Sequence, residues 1–144
     1  MKFGKICHLG IVVPDVEKAV KIYEEVLGIG PWTIGDSSPF FDDKIVNGKQ
    51  GMYVRNAMFF GEGYEIELIM PLTDDGVYAE WLRDKGPGIH HIKFETNDSH
   101  DEICSRIEAA SGRKPYLHAE WPDGRTLVDY ADLLQECGLL IEVN

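Results

Sequence analysis

The chain has 144 residues, and its 14 lysines and arginines stand against 25 aspartates and glutamates, which gives a formal net charge of −11. Hydrophobic residues make up 44% of the chain, a globular composition that excludes a disordered protein. The positive charges are scattered without a basic cluster, so we expect neither nucleic acid nor a membrane as a partner.

The first half of the chain predicts a β-α-β-β-β order of elements. Its opening strand is rich in β-branched residues, and apolar residues at helical spacing follow it. Asp15 is expected to cap that helix and Gly28 to end it. The predicted strands lie at 5–13 and near 31–35, 51–60 and 64–70. The polar stretch 35–51 is expected to be a loop or lid.

The second half predicts the same order again, after a short linking helix at about 76–85. We expect Asp98 to cap its main helix, which runs through Ser111, and the strands to lie at 89–95 and near 115–121, 125–130 and 138–143. The sequence therefore predicts an α+β fold, in which two tandem βαβββ modules form a curled mixed sheet around a central metal-binding cleft. We expect a single domain made of module 1 (about 5–72) and module 2 (about 88–144).

Histidine and glutamate recur at matching places in the two halves. Each half opens with a strand that carries a histidine, His8 or His91, and closes with a strand that carries a glutamate, Glu67 or Glu142. An ionised carboxylate within an apolar strand is costly unless it is paired, exposed or bound to a cation.

Two imidazoles and two carboxylates could converge on one divalent ion such as Zn, Ni, Co or Mn. The alternatives are hydrogen-bonded structural histidines and glutamates that face solvent. The recurrence of both residue types favours ligation.

The remaining polar candidates carry weaker signals. We interpret His90 as a packed or supporting residue on the face opposite His91, His100 as a surface residue, and His118 as a partly exposed residue of a later strand. Arg55 is either a solvated charge or an anchor for a substrate carboxylate or phosphate. The three cysteines have no close-pair spacing, so we expect no disulfide framework and a reduced, cytoplasmic protein without a signal peptide or membrane span.

Four stretches of the chain carry a resemblance to a known family. The chain resembles the vicinal oxygen chelate superfamily, which includes glyoxalase I, methylmalonyl-CoA epimerase, extradiol dioxygenases and bleomycin-resistance proteins, and it is most similar to the epimerase-like branch. The resemblance implies His8, Glu67, His91 and Glu142 as metal ligands, and a homodimer. The stretches are 7–15 (CHLGIVVPD), 66–72 (IELIMPL), 86–92 (GPGIHHI) and 138–143 (GLLIEV).

These residues predict a divalent-metal-dependent isomerase or lyase that acts on a small carbonyl substrate or thioester. The ion would stabilise an enolate or enediolate, and Glu142 or Glu67 would be the base. The activity would be similar either to methylmalonyl-CoA epimerase or to glyoxalase I. Two alternatives stay open: an Fe(II) extradiol-type dioxygenase, and a metal-free drug-binding or metabolite-binding protein of the bleomycin-resistance type.

Overall fold

The computed structural model describes residues 3–36 and 44–144. In these residues nine strands form one sheet, with four helices beside it. The strands are β1 (Ile6–Val12), β2 (Thr33–Asp36), β3 (Ile45–Val46), β4 (Val54–Phe60), β5 (Glu65–Pro71), β6 (Gly88–Phe94), β7 (Leu117–Glu120), β8 (Thr126–Leu133) and β9 (Leu139–Val143). The helices are α1 (Val16–Glu25), α2 (Val77–Lys85), α3 (His100–Ser111) and α4 (Leu134–Cys137).

The strand order shows a two-fold arrangement. The order across the sheet is β2-β4-β5-β1-β6-β9-β8-β7-β3. In each half the histidine strand lies parallel to the glutamate strand, β1 to β5 and β6 to β9, and the other strands of that half continue antiparallel. The antiparallel pair β1 and β6 joins the halves at the centre. The predicted α+β fold with a curled mixed sheet is confirmed, and the sheet of the described residues is unclosed.

The two main helices begin with side-chain caps. The Asp15 carboxylate accepts the Lys18 backbone N–H at 2.9 Å, as predicted. Helix α1 ends at Glu25, so Val26 and Leu27 lie beyond it and are 69% and 57% exposed. Gly28, with φ at 68°, provides the left-handed turn that follows the helix.

The predicted cap of the second main helix is wrong. Ser99, not Asp98, is the N-cap of α3, because Ser99 and Glu102 form a reciprocal capping box. The Ser99 backbone N–H donates to Glu102 Oε2 at 2.9 Å. The Asp98 carboxylate instead accepts a hydrogen bond from Arg106 at 2.9 Å.

The segment predicted as a loop or lid contains strand β3. Ile45 and Val46 pair antiparallel with Glu120 and Ala119 of β7, at the far end of the sheet from β2. Burial of Val46 stabilises this pairing. The residues 37–43 of the predicted loop lie outside the described residues.

Helix α2 links the two halves and covers part of the core. Its Val77, Tyr78 and Trp81 are buried, as the helical spacing predicts. Helix α4 was not predicted from the sequence. Among the described helices, none has both the length and the apolar character that a membrane span requires.

Candidate metal centre

The two strand histidines meet at the centre of the sheet. Strands β1 and β6 are antiparallel neighbours, and His8 and His91 project from them with their Nε2 atoms 3.4 Å apart. Their rings are stacked, with centroids 5.3 Å apart. Both residues are buried. The central pairing of the two halves therefore brings together the two histidines that the repeat singles out.

Each imidazole is held by the glutamate of its own half. Glu67 Oε2 lies 3.2 Å from His8 Nε2, and Glu142 Oε2 lies 3.1 Å from His91 Nε2. The crossed distances are 3.8 Å from Glu67 to His91 and 3.9 Å from Glu142 to His8. The structure thus brings all four sequence-predicted site residues into one cluster with near two-fold symmetry.

This donor set fits a divalent cation. An ion with bonds of about 2.0–2.2 Å to nitrogen and oxygen holds its donors roughly 3–3.6 Å apart, close to the spacing seen here. His8, His91 and Glu142 each place one ligand atom within 4.8 Å of the others. Mixed nitrogen and oxygen donors suit Zn, Ni, Co or Mn.

Polar side chains that the sequence did not identify support the two carboxylates. Asn56 donates from Nδ2 to Glu67 Oε1 at 3.2 Å. Lys93 Nζ lies 3.4 Å from Glu142 Oε1, which also accepts from Asn144 Nδ2 at 3.3 Å. Each glutamate therefore directs one oxygen at the imidazoles and uses the other for support. In the sequence, the position of Lys93 on the same strand face as His91 was the feature that indicated a supporting residue at the cluster.

The electrostatics of the cluster keep Glu142 ionised. Burial alone would raise the pKa of Glu142, but the hydrogen bond and charge of His91, with His8 and Lys93, outweigh burial and lower this pKa to about 2. For His8, burial acts to lower the pKa, while the hydrogen bond to Glu67 and the charges of the surrounding carboxylates raise it above its ordinary value. The cluster is thus an anionic environment that stabilises a positive charge between the imidazoles.

Glycine at position 10 makes room for one of the histidines. Gly10 lies directly opposite His91 in the β1–β6 pairing. A Cβ built on Gly10 would come 2.0 Å from His91 Cε1, far inside any permitted contact. A glycine within a strand commonly marks such a close approach, so Gly10 was the feature of the sequence that indicated it.

His90 packs directly against the ring of His91. The β1–β6 register shifts where His90 would pair, so the strict alternation expected from the sequence is broken and both rings are buried. The Nδ1 atoms of His90 and His91 lie 3.1 Å apart. Burial, with the charges of His91 and Lys85, lowers the pKa of His90 to about 3. His90 is therefore a packed, neutral residue in contact with the cluster.

A cavity of about 370 Å³ opens in front of the cluster, lined by His8, Glu67 and Glu142 together with apolar side chains such as Val54 and Ile69. The hydroxyls of Tyr78 and Tyr130 form a 2.7 Å hydrogen bond in its wall. The Tyr130 ring stacks on His91 with centroids 4.3 Å apart. The cavity gives a small molecule access to the donor atoms.

Arg55 lies near this cavity but its charge is already paired. Its guanidinium donates to Asp36 at 2.6 Å and also to Glu17. These contacts tie strands β2 and β4 to helix α1. Arg55 therefore forms an ion-pair network with two carboxylates of its own chain.

A protein-family comparison and a search of curated proteins find relatives of this chain. The family model described as Glyoxalase/Bleomycin resistance protein/Dioxygenase superfamily matches residues 7–126. The uncharacterized protein YqjC of Bacillus subtilis is 30% identical over 123 residues, which cover 77% of this chain and 79% of that protein. The human mitochondrial methylmalonyl-CoA epimerase is 29% identical over 97 residues, which cover 66% of this chain and 48% of the epimerase. The match to that epimerase thus spans about half its length.

Solved structures share the fold over nearly the whole chain. Methylmalonyl-CoA epimerase from Mycobacterium tuberculosis superposes with a TM-score of 0.61 at 22% identity, covering 98% of this chain and 87% of that chain. A hypothetical protein from Bacillus halodurans superposes with a TM-score of 0.64 at 21% identity, covering 96% and 91% respectively. At these identities the likeness concerns the fold.

Proposed function

Since the chain belongs to the glyoxalase/bleomycin resistance protein/dioxygenase superfamily, we propose that it is a divalent-metal-dependent enzyme that moves a proton on a small carbonyl compound or thioester. His8, Glu67, His91 and Glu142 would hold one ion of Zn, Ni, Co or Mn. The observation that carries this proposal is the near-symmetric pair of imidazole–carboxylate contacts at the mouth of a cavity.

The chemistry of proton transfer follows from the donor set. A bound divalent cation supplies Lewis-acid stabilisation of the negative charge that develops on a substrate oxygen when the neighbouring carbon is deprotonated. Glu142, whose pKa is lowered to about 2, is ionised at neutral pH and can accept that proton. Glu67 is the second carboxylate at the cavity and the alternative base. Two carboxylates from different strands would also allow removal of a proton on one side and its return on the other.

The substrate class is suggested by the curated relatives. Several of them are mitochondrial methylmalonyl-CoA epimerases, so we propose a thioester with an acidic α-carbon as the first candidate. The apolar wall of the cavity suits an acyl group beside the polar cluster. The hemithioacetal of methylglyoxal and glutathione, the glyoxalase I type of substrate, is the second candidate.

The test is solvent-deuterium exchange into each candidate substrate, measured with the metal-loaded chain and with the same preparation after chelation. We expect incorporation into methylmalonyl-CoA or the glutathione adduct that depends on the metal and returns when the metal is restored. Incorporation that is unchanged by complete metal removal would contradict the proposal.

A second candidate function is an Fe(II) extradiol-type dioxygenase. The observation that favours it is the composition of the group His8, His91 and Glu142, whose ligand atoms lie within 4.8 Å of one another, because two histidines and one carboxylate are the ligands of many non-haem Fe(II) oxygenases. Glu67, 3.2 Å from His8, disfavours it by taking a position that oxygen or a catechol would need. Oxygen uptake by the Fe(II)-loaded chain with a catechol would establish this activity, and equal uptake without the chain would exclude it. A metal-free binding protein of the bleomycin-resistance type is the third candidate, and a finding of stoichiometric metal in the purified chain would argue against it.

The organisation of the protein stays a proposal as well. We propose one domain made of modules 5–72 and 88–144, which fits the mirrored strand order of the two halves. We also propose a homodimer, which light scattering of the purified chain tests directly. The three free cysteines fit a reducing compartment, so a cytoplasmic location stays our prediction.

A further inference from the structure

A second cluster of ligand-type side chains lies on the other face of strand β8. Tyr130 of this strand stacks on His91 at the cavity, so its neighbour Asp129 points to the opposite face, toward helix α3. Asp129 is only 4% exposed. A buried carboxylate needs positive charge or several hydrogen bonds, and its surroundings supply an unusual set of partners.

Helix α3 presents a histidine and a cysteine to this carboxylate. His100 and Cys104 are four residues apart on α3 and therefore lie on one face of the helix. His100 Nε2 lies 2.9 Å from Asp129 Oδ2, and Cys104 Sγ lies 3.7 Å from the same oxygen. Cys104 Sγ and His100 Nε2 are 3.6 Å apart. His100, which the sequence predicts to be a surface residue, is partly buried, and its ring is held in this cluster.

The spacing of the three donor atoms matches a small tetrahedral metal site. In a tetrahedral zinc site, with bonds of about 2.0–2.1 Å to nitrogen or oxygen and about 2.3 Å to sulfur, the ligand atoms lie roughly 3.3–3.6 Å apart. Of the two sulfur distances here, the one to His100 falls at the upper end of that interval and the one to Asp129 lies 0.1 Å above it, while the nitrogen–oxygen distance of 2.9 Å is shorter. Nitrogen, thiolate sulfur and carboxylate oxygen together are a donor set that zinc prefers.

The neighbours of the cluster orient its ligands as the surroundings of a metal site do. His100 Nδ1 lies 3.0 Å from Asp101 Oδ1, a contact that would hold the ring proton on Nδ1 and leave the lone pair of Nε2 for an ion. His118 Nδ1 lies 2.6 Å from Asp129 Oδ1, so the remaining oxygen Oδ2 is free to face His100 and Cys104. Contacts of this kind commonly fix the tautomer and the orientation of metal ligands.

We propose that His100, Cys104 and Asp129 form a second divalent-cation site, selective for zinc-type ions and separate from the cavity. The fourth position would be taken by water, since His100 and Cys104 are only partly buried. Binding displaces the proton of Cys104, because the thiolate is the ligand. The ion would link the N-terminal part of α3 to strand β8. The alternative is a metal-free network in which an imidazolium bridges Asp101 and Asp129.

Cobalt(II) distinguishes these two arrangements, because a thiolate ligand gives an intense charge-transfer band in the near ultraviolet that nitrogen and oxygen ligands do not give. We expect this band when Co²⁺ is added to the metal-free chain, and its loss in Cys104→Ser. The matched control is Cys137→Ser, which alters an exposed cysteine and should leave the band unchanged. Zinc content should fall by one equivalent per chain in Cys104→Ser.

This experiment does not depend on the proposed metal site at the cavity. His8→Ala, which removes a proposed ligand there, should keep the thiolate band. His118→Asn should keep the band but weaken zinc binding by about 10–100-fold, as expected for loss of a residue that orients a ligand. Absence of the band from the unaltered chain at saturating Co²⁺, or its survival in Cys104→Ser, would overturn the proposal. Thermal melts of each variant in chelator check that it folds.

Discussion

The ring of His91 occupies the space that any side chain at position 10 would need, because a Cβ on Gly10 would lie 2.0 Å from His91 Cε1. Gly10→Ala must therefore push His91 away from Glu142. We expect a loss of stability of about 1–3 kcal/mol, typical of overpacking, together with a marked loss of metal affinity. Gly35→Ala is the matched control, since a Cβ at Gly35 meets no atom within 4 Å. Equal metal binding by both variants would show that the position of His91 does not matter for binding.

His90 makes the stability of the protein sensitive to mild acid. The pKa of His90 is lowered to about 3 from the ordinary 6.5 by burial, with the charges of His91 and Lys85. Above pH 6.5 the residue is neutral whether the chain is folded or unfolded. As the pH falls below that value, the unfolded chain binds a proton that the folded chain does not, so stability falls by up to about 1.4 kcal/mol per pH unit.

Denaturant unfolding of the unaltered chain and of His90→Gln, from about pH 7 to about pH 5, measures this contribution. The range lies above the acid region in which the lowered pKa of Glu142 acts. We expect a smaller loss of stability in His90→Gln. Parallel curves for the two chains would mean that His90 does not carry the effect.

The capping box at the start of α3 makes Ser99 more important than its acidic neighbour. Ser99→Ala removes the acceptor for the Glu102 N–H and should cost about 0.5–2 kcal/mol of unfolding free energy. Asp98→Ala removes a partly exposed ion pair with Arg106 and should cost about 0–1 kcal/mol. Chemical denaturation of both variants gives the comparison. A larger loss of unfolding free energy for Asp98→Ala would support Asp98 as the N-cap, as the sequence suggested.

Removal of the proposed ion at the cavity should lower the melting temperature. An ion bound only to the folded chain stabilises it by about 2.7 kcal/mol when its free concentration is 100 times the dissociation constant. The measurement is a thermal melt with and without chelator in a Cys104→Ser background, which isolates the cavity. We expect a fall of several degrees, and a much smaller one when His8→Ala is added. An unchanged melt of chain shown beforehand to contain metal would contradict a site coupled to folding.

The four clustered side chains could be predicted from the sequence because they are repeated. His8 and His91, and Glu67 and Glu142, occupy equivalent positions in the two halves, and this recurrence was the reason to expect that they converge. The β-bulge at His90 was not predictable, because it depends on the register between two strands rather than on either strand alone. The pairing of β3 with β7 joins segments far apart in sequence and leaves no local signal.

The cluster around Asp129 was missed for a related reason. Its proposed ligands come from one helix and one strand of the second half, without a counterpart in the first half that could single them out. His100 and Cys104 have the helical spacing of a metal-binding pair, which was the local signal. Only the packing of α3 on β8 shows that a buried carboxylate faces them.

The most direct test of the central claim compares Glu142→Gln with His8→Ala, with metal content and solvent-deuterium exchange measured side by side. Glu142→Gln keeps an oxygen that can coordinate but removes the proton acceptor. The account predicts that exchange falls by about 10²-fold or more while metal content changes little. His8→Ala should lower metal content and exchange together, since His8 has no part in the proton transfer. Full exchange activity in Glu142→Gln would contradict the assignment of Glu142 as the base and leave Glu67 as the candidate.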